Sequence, residues 1–335
     1  MLKNKLPVFL AILLYILIYF VRFQQGGLAP LSGVKDLKWD VLKSQQDFLD
    51  QQIQTYLPSP QAELLSGILL GQNKNLPGSF KLALRDTSTL HIVVASGQNL
   101  SLVAGFFLGL SGLIKRKNAL ILALIACIFY TVLSGMQIPI LRAAIMFSFS
   151  SIAQFFGRQR AGFWVLLMTA GLMLLINPDW ITSLSFQLSF LATFGVIVVS
   201  PILLKVFNKL PIIGSDLAVT LAAQIMVTPV IIQNFHQISL VSLITNILVL
   251  WTISFIMILG AMMLILGFVW SFLGQLMALG VSVLLTYFIY IVSFFSSLPF
   301  AWEYIGQQIW LVWVGYYMFV AGLVLSLKNA QEKNY

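Results

Sequence analysis

Runs of about twenty apolar residues recur from Leu6 to Leu327, the length an α-helix needs to cross the hydrocarbon of a bilayer. That repetition leaves few folds open. In lipid every backbone N–H and C=O must be paired within the protein, so a chain crosses only as helices or as a closed barrel. A barrel needs side chains that alternate, and these runs are continuous. The expected fold class is therefore all-α, a polytopic transmembrane helical bundle. Charged residues make up 9% of the chain, against roughly 25% in ordinary globular proteins, so no soluble enzyme domain is expected.

Ten spans are predicted, near Leu6–Val21, Leu90–Ile114, Ala119–Leu133, Ile138–Phe156, Gly162–Ile176, Leu184–Leu204, Leu217–Ile232, Leu240–Val269, Gln275–Leu298 and Ile309–Leu327. The eighth is too long for one straight crossing and is expected to tilt strongly or to break near Gly260 or Gly267. The first follows Lys3 and Lys5 and ends in Arg22-Phe23-Gln24-Gln25 without a small-residue cleavage pattern, so it reads as an uncleaved anchor. Under strict alternation Lys115-Arg116-Lys117, Arg158–Arg160, Lys205–Lys209 and the Lys328–Lys333 tail fall on one side. Positive residues in short loops mark the cytoplasmic face, which puts both termini inside. The net charge of +9 follows mostly from that loop asymmetry and needs no nucleic acid to explain it. The lone Cys127 lies in an apolar run and has no internal partner.

Four parts follow from this reading: an anchor at 1–22, an extracytoplasmic polar and helical segment at 23–88, a membrane domain at 89–328 and a cytoplasmic tail at 329–335. The polar segment holds Asp36, Asp40, Asp47, Asp50, Glu63 and Asp86, six of the ten acids. Val41–Ile53 reads as a surface amphipathic helix and Glu63–Gly71 as an apolar helix too short to span. The segment is expected to sit outside and cap the bundle.

Chemistry has to be sought inside the spans. His91–Phe106, HIVVASGQNLSLVAGF, carries His91, Ser96, Gly97, Gln98, Asn99 and Ser101 through an apolar stretch. Polar side chains at that depth pair with one another, face a water-filled path, or serve as glue between helices. On a continuous helix His91 would share a face with Ala95, Gln98 or Asn99, and Leu102, and Gly97 is a place where such a helix can break to line a cavity. In SGMQIPILRAAIM, Ser134–Met146, Pro139 suits a helix start, and Arg142 follows one turn into apolar sequence. An arginine at a helix centre costs about 2.5–3.5 kcal/mol on insertion scales, so Arg142 either meets a partner, water or an anion, or snorkels to headgroups. In NPDWITSLSFQLSFLAT, Asn177-Pro178 ends one helix; Ser185, Ser189 and Thr193 stripe the next, with Gln187 on another face. Pro229 should kink or shorten the span that carries Gln224 and Thr228, and His236 is placed at the outer surface.

Together these stretches resemble the ComEC-type competence proteins, inner-membrane channels through which bacteria import single-stranded DNA. The resemblance rests on HIVVASGQNLSLVAGF, on IPILRAAIMF at Ile138–Phe147, on NPDWITSLSFQLSFLATFGV at Asn177–Val196, and on Gln224–Leu248 in the same order. It covers about Glu63 to Ile305. It implies a channel in the cytoplasmic membrane; with two histidines, His91 and His236, and no HxxxH, HxH or CxxC pattern, no enzyme, cofactor or metal site is expected. His91, Ser96, Gly97, Gln98, Asn99, Arg142 and Gln187 would line the path, with Pro139, Asn177, Pro178 and Pro229 breaking or supporting helices. One phosphate charge per nucleotide asks for cationic or donor groups along that path. The implied partners are single-stranded DNA, membrane lipids, a separate receptor, nuclease and motor or single-strand-binding proteins, and a second copy of the chain. Where the family commonly reads Ser-Gly-Leu-His, this chain has Ser96-Gly97-Gln98-Asn99. Full-length members often carry an external barrel and a C-terminal nuclease domain; the sequence here ends at Tyr335, so a channel module alone is expected. Two other readings stay open: a transporter or flippase of another anionic polymer or lipid, and a polytopic membrane enzyme centred on Asp86, His91 and Ser96.

Overall fold

The structure, a computed structural model, describes residues 42–72, 75–93, 96–157, 161–207, 214–306 and 308–333. The first expected span and the 1–22 anchor lie outside these residues, as does the Arg158–Arg160 loop. Among the described residues seven helices are long and apolar enough to cross a membrane, so the protein is a multi-pass membrane protein. They are α6 (Arg116–Leu133), α7 (Ile138–Phe155), the joined pair α9 (Leu184–Phe194) and α10 (Ser200–Val206), α11 (Gly214–Phe235), α12 (Ser242–Val269), α13 (Ser271–Ser296) and α14 (Trp310–Lys333). The shorter α8 (Gly162–Ile176) stands at the fifth expected span.

The second expected span is not one helix. It divides into α4 (Leu90–Val93), α5 (Gly97–Gly109) and a 3-10 turn at Leu110–Gly112, with Ser96 extended at φ −112°, ψ 167°. Serine and glycine at this point favour a helix start over a helix interior. His91 therefore shares no continuous helix face with Asn99 or Leu102. The eighth span does the opposite: α12 runs unbroken through Gly260 and Gly267. A Cβ on Gly260 would lie 2.9 Å from Leu65 Cδ1, and one on Gly267 would lie 2.9 Å from Tyr56 Oη. These glycines admit neighbours instead of breaking the helix.

Those neighbours belong to the polar segment, expected to cap the bundle. Three helices stand there, α1 (Lys43–Tyr56), α2 (Gln61–Leu70) and α3 (Gly78–Asp86). All of α2 from Leu64 to Leu70 is buried, and it packs on α12, α13, α1 and α4. One hydrophobic core joins Ile53, Leu65, Ile68, Leu100, Ile140, Ile256 and Phe288, so residue 88 is no boundary in packing. Short length excluded α2 as a span but not as a core. By contrast α1 keeps a polar face exposed through Lys43, Ser44, Gln45, Asp47, Gln51 and Gln54. It reaches from the end of α6, where Gln46 donates to the Leu133 carbonyl, to the α12–α13 turn at Tyr56.

Proline shapes two helices. Pro229 sits inside α11 and has no N–H to give the Ile225 carbonyl four residues back. The Tyr316 hydroxyl of α14 donates to that carbonyl at 2.9 Å, and Tyr317 donates to Met226 O at 3.0 Å. Borrowed donors of this kind make a proline tolerable in a membrane helix. Pro201 likewise cannot serve Ile197, and the chain passes from α9 to α10 through a π turn at Gly195–Val199. A two-stranded antiparallel ribbon completes the fold, β1 (Gln237–Ser239) on β2 (Trp302–Tyr304), with Ile238 opposite Glu303. Between Asp216 and Glu303 no Asp, Glu, Lys or Arg occurs, and the α12–α13 turn exposes Phe268, Val269, Trp270 and Phe272.

Candidate functional site

Five helices close a ring by contact. In order, α5 packs on α7, α7 on α9, α9 on α11, α11 on α12, and α12 returns to α5. Three polar motifs enter this ring from three different helices, and they meet at Arg142.

Arg142 lies in the second turn of α7, after Pro139, whose missing N–H falls among donors that a helix start leaves free anyway. Its Nη1 donates to Thr193 Oγ1 of α9 and contacts Met146 Sδ at 3.8 Å. Thr193 in turn donates to the Ser189 carbonyl at 2.9 Å. On the other side is Gly97 of α5, where a Cβ would lie 3.1 Å from Arg142 Nη2 and 3.2 Å from Ala143 Cβ. Arg142 Nε is buried without a hydrogen-bond partner. Among the described residues no carboxylate pairs with this guanidinium; the ion pair found there is Arg85–Asp86 at 3.2 Å. An arginine placed at depth without a counter-charge can accept an anion, with Nε and an Nη offering two parallel donors to phosphate oxygens.

Asn99 faces elsewhere. It is fully buried, donates through Nδ2 to Ile68 O at 2.8 Å, and its Oδ1 accepts from Ser96 Oγ at 3.2 Å. The last carbonyls of any helix lack intrahelical donors. Gly71, at φ 73°, caps α2 by giving its own N–H back to Gly67 O. The carbonyls left over are served from three neighbours: Asn99 and Tyr130 reach Ile68 O, and Gln137 reaches Gly71 O at 2.7 Å. Asn99 thus anchors α2. We expect Asn99→Ala to lower stability by about 1 kcal/mol, the weight of one buried hydrogen bond lost while Tyr130 still reaches Ile68 O, seen as earlier melting in detergent.

The other expected residues scatter. Gln98 and Ser101 are exposed on α5, beside the Gly97 face that meets Arg142. His91 donates from Nδ1 to the Ser88 carbonyl at 2.8 Å and is otherwise exposed. Asp86 pairs with Arg85 and accepts from Gln237 Nε2 at 3.4 Å, and Ser96 is engaged with Asn99. No hydrogen bond joins Asp86, His91 and Ser96 to one another. Gln187 turns back on its own helix start and donates to Ile181 O at 3.0 Å. The Asn177 side chain caps the turn at Pro178–Thr182 through the Asp179 N–H, and Pro178 and Pro229 are buried. Thr193 is the group that sequence reasoning passed over as a candidate. The Ser185–Ser189–Thr193 stripe was its signal, four residues apart on one face.

A second polar contact lies across the ring. Gln224 Nε2 of α11 donates to Ser242 Oγ of α12 at 2.7 Å, while Gln224 Oε1 and Asn246 Oδ1 are buried without partners.

A family model described as competence protein matches residues 68–330. An uncharacterized protein of Escherichia coli (strain K12), YcaI, is 31% identical over 231 residues, covering 62% of this chain and 30% of that protein. ComE operon protein 3 of Bacillus subtilis (strain 168) is 26% identical over 232 residues, covering 69% and 29%. An uncharacterized protein of Aquifex aeolicus (strain VF5) is 30% identical over 160 residues, covering 47% and 38%. The chain spans about a third of the length of these curated relatives. No solved structure matches.

Proposed function

The chain belongs to the competence protein family, and on that premise we propose that it forms the path by which one strand of DNA crosses the cytoplasmic membrane. The observation that carries this reading is Arg142, a guanidinium held among apolar helices with a free buried donor and no carboxylate partner. A phosphodiester backbone supplies the missing anion once per nucleotide, and bases need only donor groups or ring contacts as they pass. Gln98 and Ser101, exposed on α5, would offer further polar groups to the strand.

In this reading the chain has ten spans with both termini inside, the anchor being the first and α5 with its flanking turns the second. It acts as a channel without catalysis of its own; a receptor, a nuclease and a motor or single-strand-binding protein act as separate partners. The test is entry of labelled DNA into cells with and without this gene, scoring surface-bound and cytoplasmic label separately. Deletion should leave bound DNA in place and abolish cytoplasmic label. Unchanged entry would refute the DNA path and move an anionic polymer or lipid to first place as cargo.

A further inference from the structure

Among the described residues, the bond from Arg142 to Thr193 is the one hydrogen bond that joins α7 to α9. It is also an odd use of a guanidinium. Thr193 Oγ1 already gives its proton to the Ser189 carbonyl, so toward Arg142 it offers only lone pairs, as a phosphate oxygen does. We propose that this contact is a latch: the Thr193 hydroxyl occupies Arg142 while the path is empty, and an arriving phosphate displaces it and releases α9 from α7. The proposal rests on the DNA-path reading and adds a closed state to it.

Three features support the exchange. Arg142 Nε is a spare donor, so an anion can bind before Thr193 lets go. Arg142 is an ionised donor to either acceptor, but a phosphate adds a full opposite charge and can take two parallel guanidinium donors where the hydroxyl takes one, so the exchange runs toward phosphate. And α9 has somewhere to yield: the π turn at Gly195–Val199 begins two residues after Thr193, where Pro201 has already removed a ladder bond. A polar route that stayed open would leak ions, and this bond is placed to close it.

The full chain in liposomes tests the idea by the efflux of entrapped chloride with no DNA present. Thr193→Val keeps shape and removes the acceptor; it should raise chloride efflux about tenfold, the usual weight of a hydrogen bond to a charged group. Thr193→Ser, which keeps the hydroxyl, should stay at the wild-type rate. Equal efflux from wild type and Thr193→Val overturns the latch, and so does an equal rise in both variants, which would mean that packing alone seals the ring. A second readout leaves Thr193 intact. Ser189→Cys in a Cys127→Ser background should be protected from a water-soluble thiol reagent and become labelled when an oligothymidylate is added; labelling indifferent to the oligonucleotide overturns the proposal. Failure of the latch leaves the path reading standing wherever gene deletion still abolishes DNA entry.

Discussion

Arg142→Met is expected to cut cytoplasmic arrival of DNA by about 30-fold or more while making the protein more stable. The loss follows from removing one partner of a buried charged contact, which costs about 2–5 kcal/mol when the other partner is the passing phosphate. The gain follows from the empty state. There the guanidinium has a hydroxyl and a thioether for company and a buried Nε with none. An arginine carries an insertion penalty of about 2.5–3.5 kcal/mol at a helix centre and less in the second turn where Arg142 sits, and methionine recovers part of it. Opposite signs are the point of the experiment. A residue kept for packing loses stability and function together; a residue kept for an anion loses only function. Uptake by cells and melting in detergent, measured on the same variant, separate the two, and a fall in both would remove Arg142 from the path. Arg142→Lys should restore little, because a point charge on a flexible stem lacks the paired donors of the guanidinium.

Gly195→Ala is expected to be the most damaging single methyl in the bundle. A Cβ there would lie 2.3 Å from the Ala222 carbonyl oxygen and 2.9 Å from its carbon, both backbone atoms of α11. Backbone cannot rotate away as a side chain can, so α9 and α11 must part. Overpacking of this kind costs about 1–3 kcal/mol or more, and it falls on one wall of the five-helix ring. Folded yield and melting temperature should both drop, and uptake with them. Gly105→Ala on α5 is the control: nothing lies within 4 Å of its Cβ position, and alanine is the better helix former by about 1 kcal/mol. It should be neutral or mildly stabilising. Equal behaviour of the two alanine variants would mean that α9 and α11 do not pack as closely as described.

How much of this was readable in advance differs between fold and site. Apolar length alone located the helices from α6 onward, since no other structure can hide so much backbone in lipid. The role of α2 was not readable. Its seat includes Gly260, some two hundred residues further along the chain, which meets Leu65 and Leu69, and a remote glycine leaves no periodic signal beside the helix it receives. Within the site, Arg142 and Gly97 stood out as a charge and a break in apolar sequence, and the structure brings them together. Gln187 stood out equally, yet a side-chain amide near a helix start finds the preceding turn within reach, and its bond to Ile181 is local. Pattern identifies which groups are costly to bury. It does not say which neighbour relieves them.

The uncharged stretch between Asp216 and Glu303 bears on how the protein is made. An insertion machine orients hairpins by reading basic flanks, and the α12–α13 pair offers it none. What the pair has instead of flanking charge is shape. Gly260 and Gly267 fit the surfaces of Leu65 and Tyr56, so packing fixes this hairpin where charge gives it no direction.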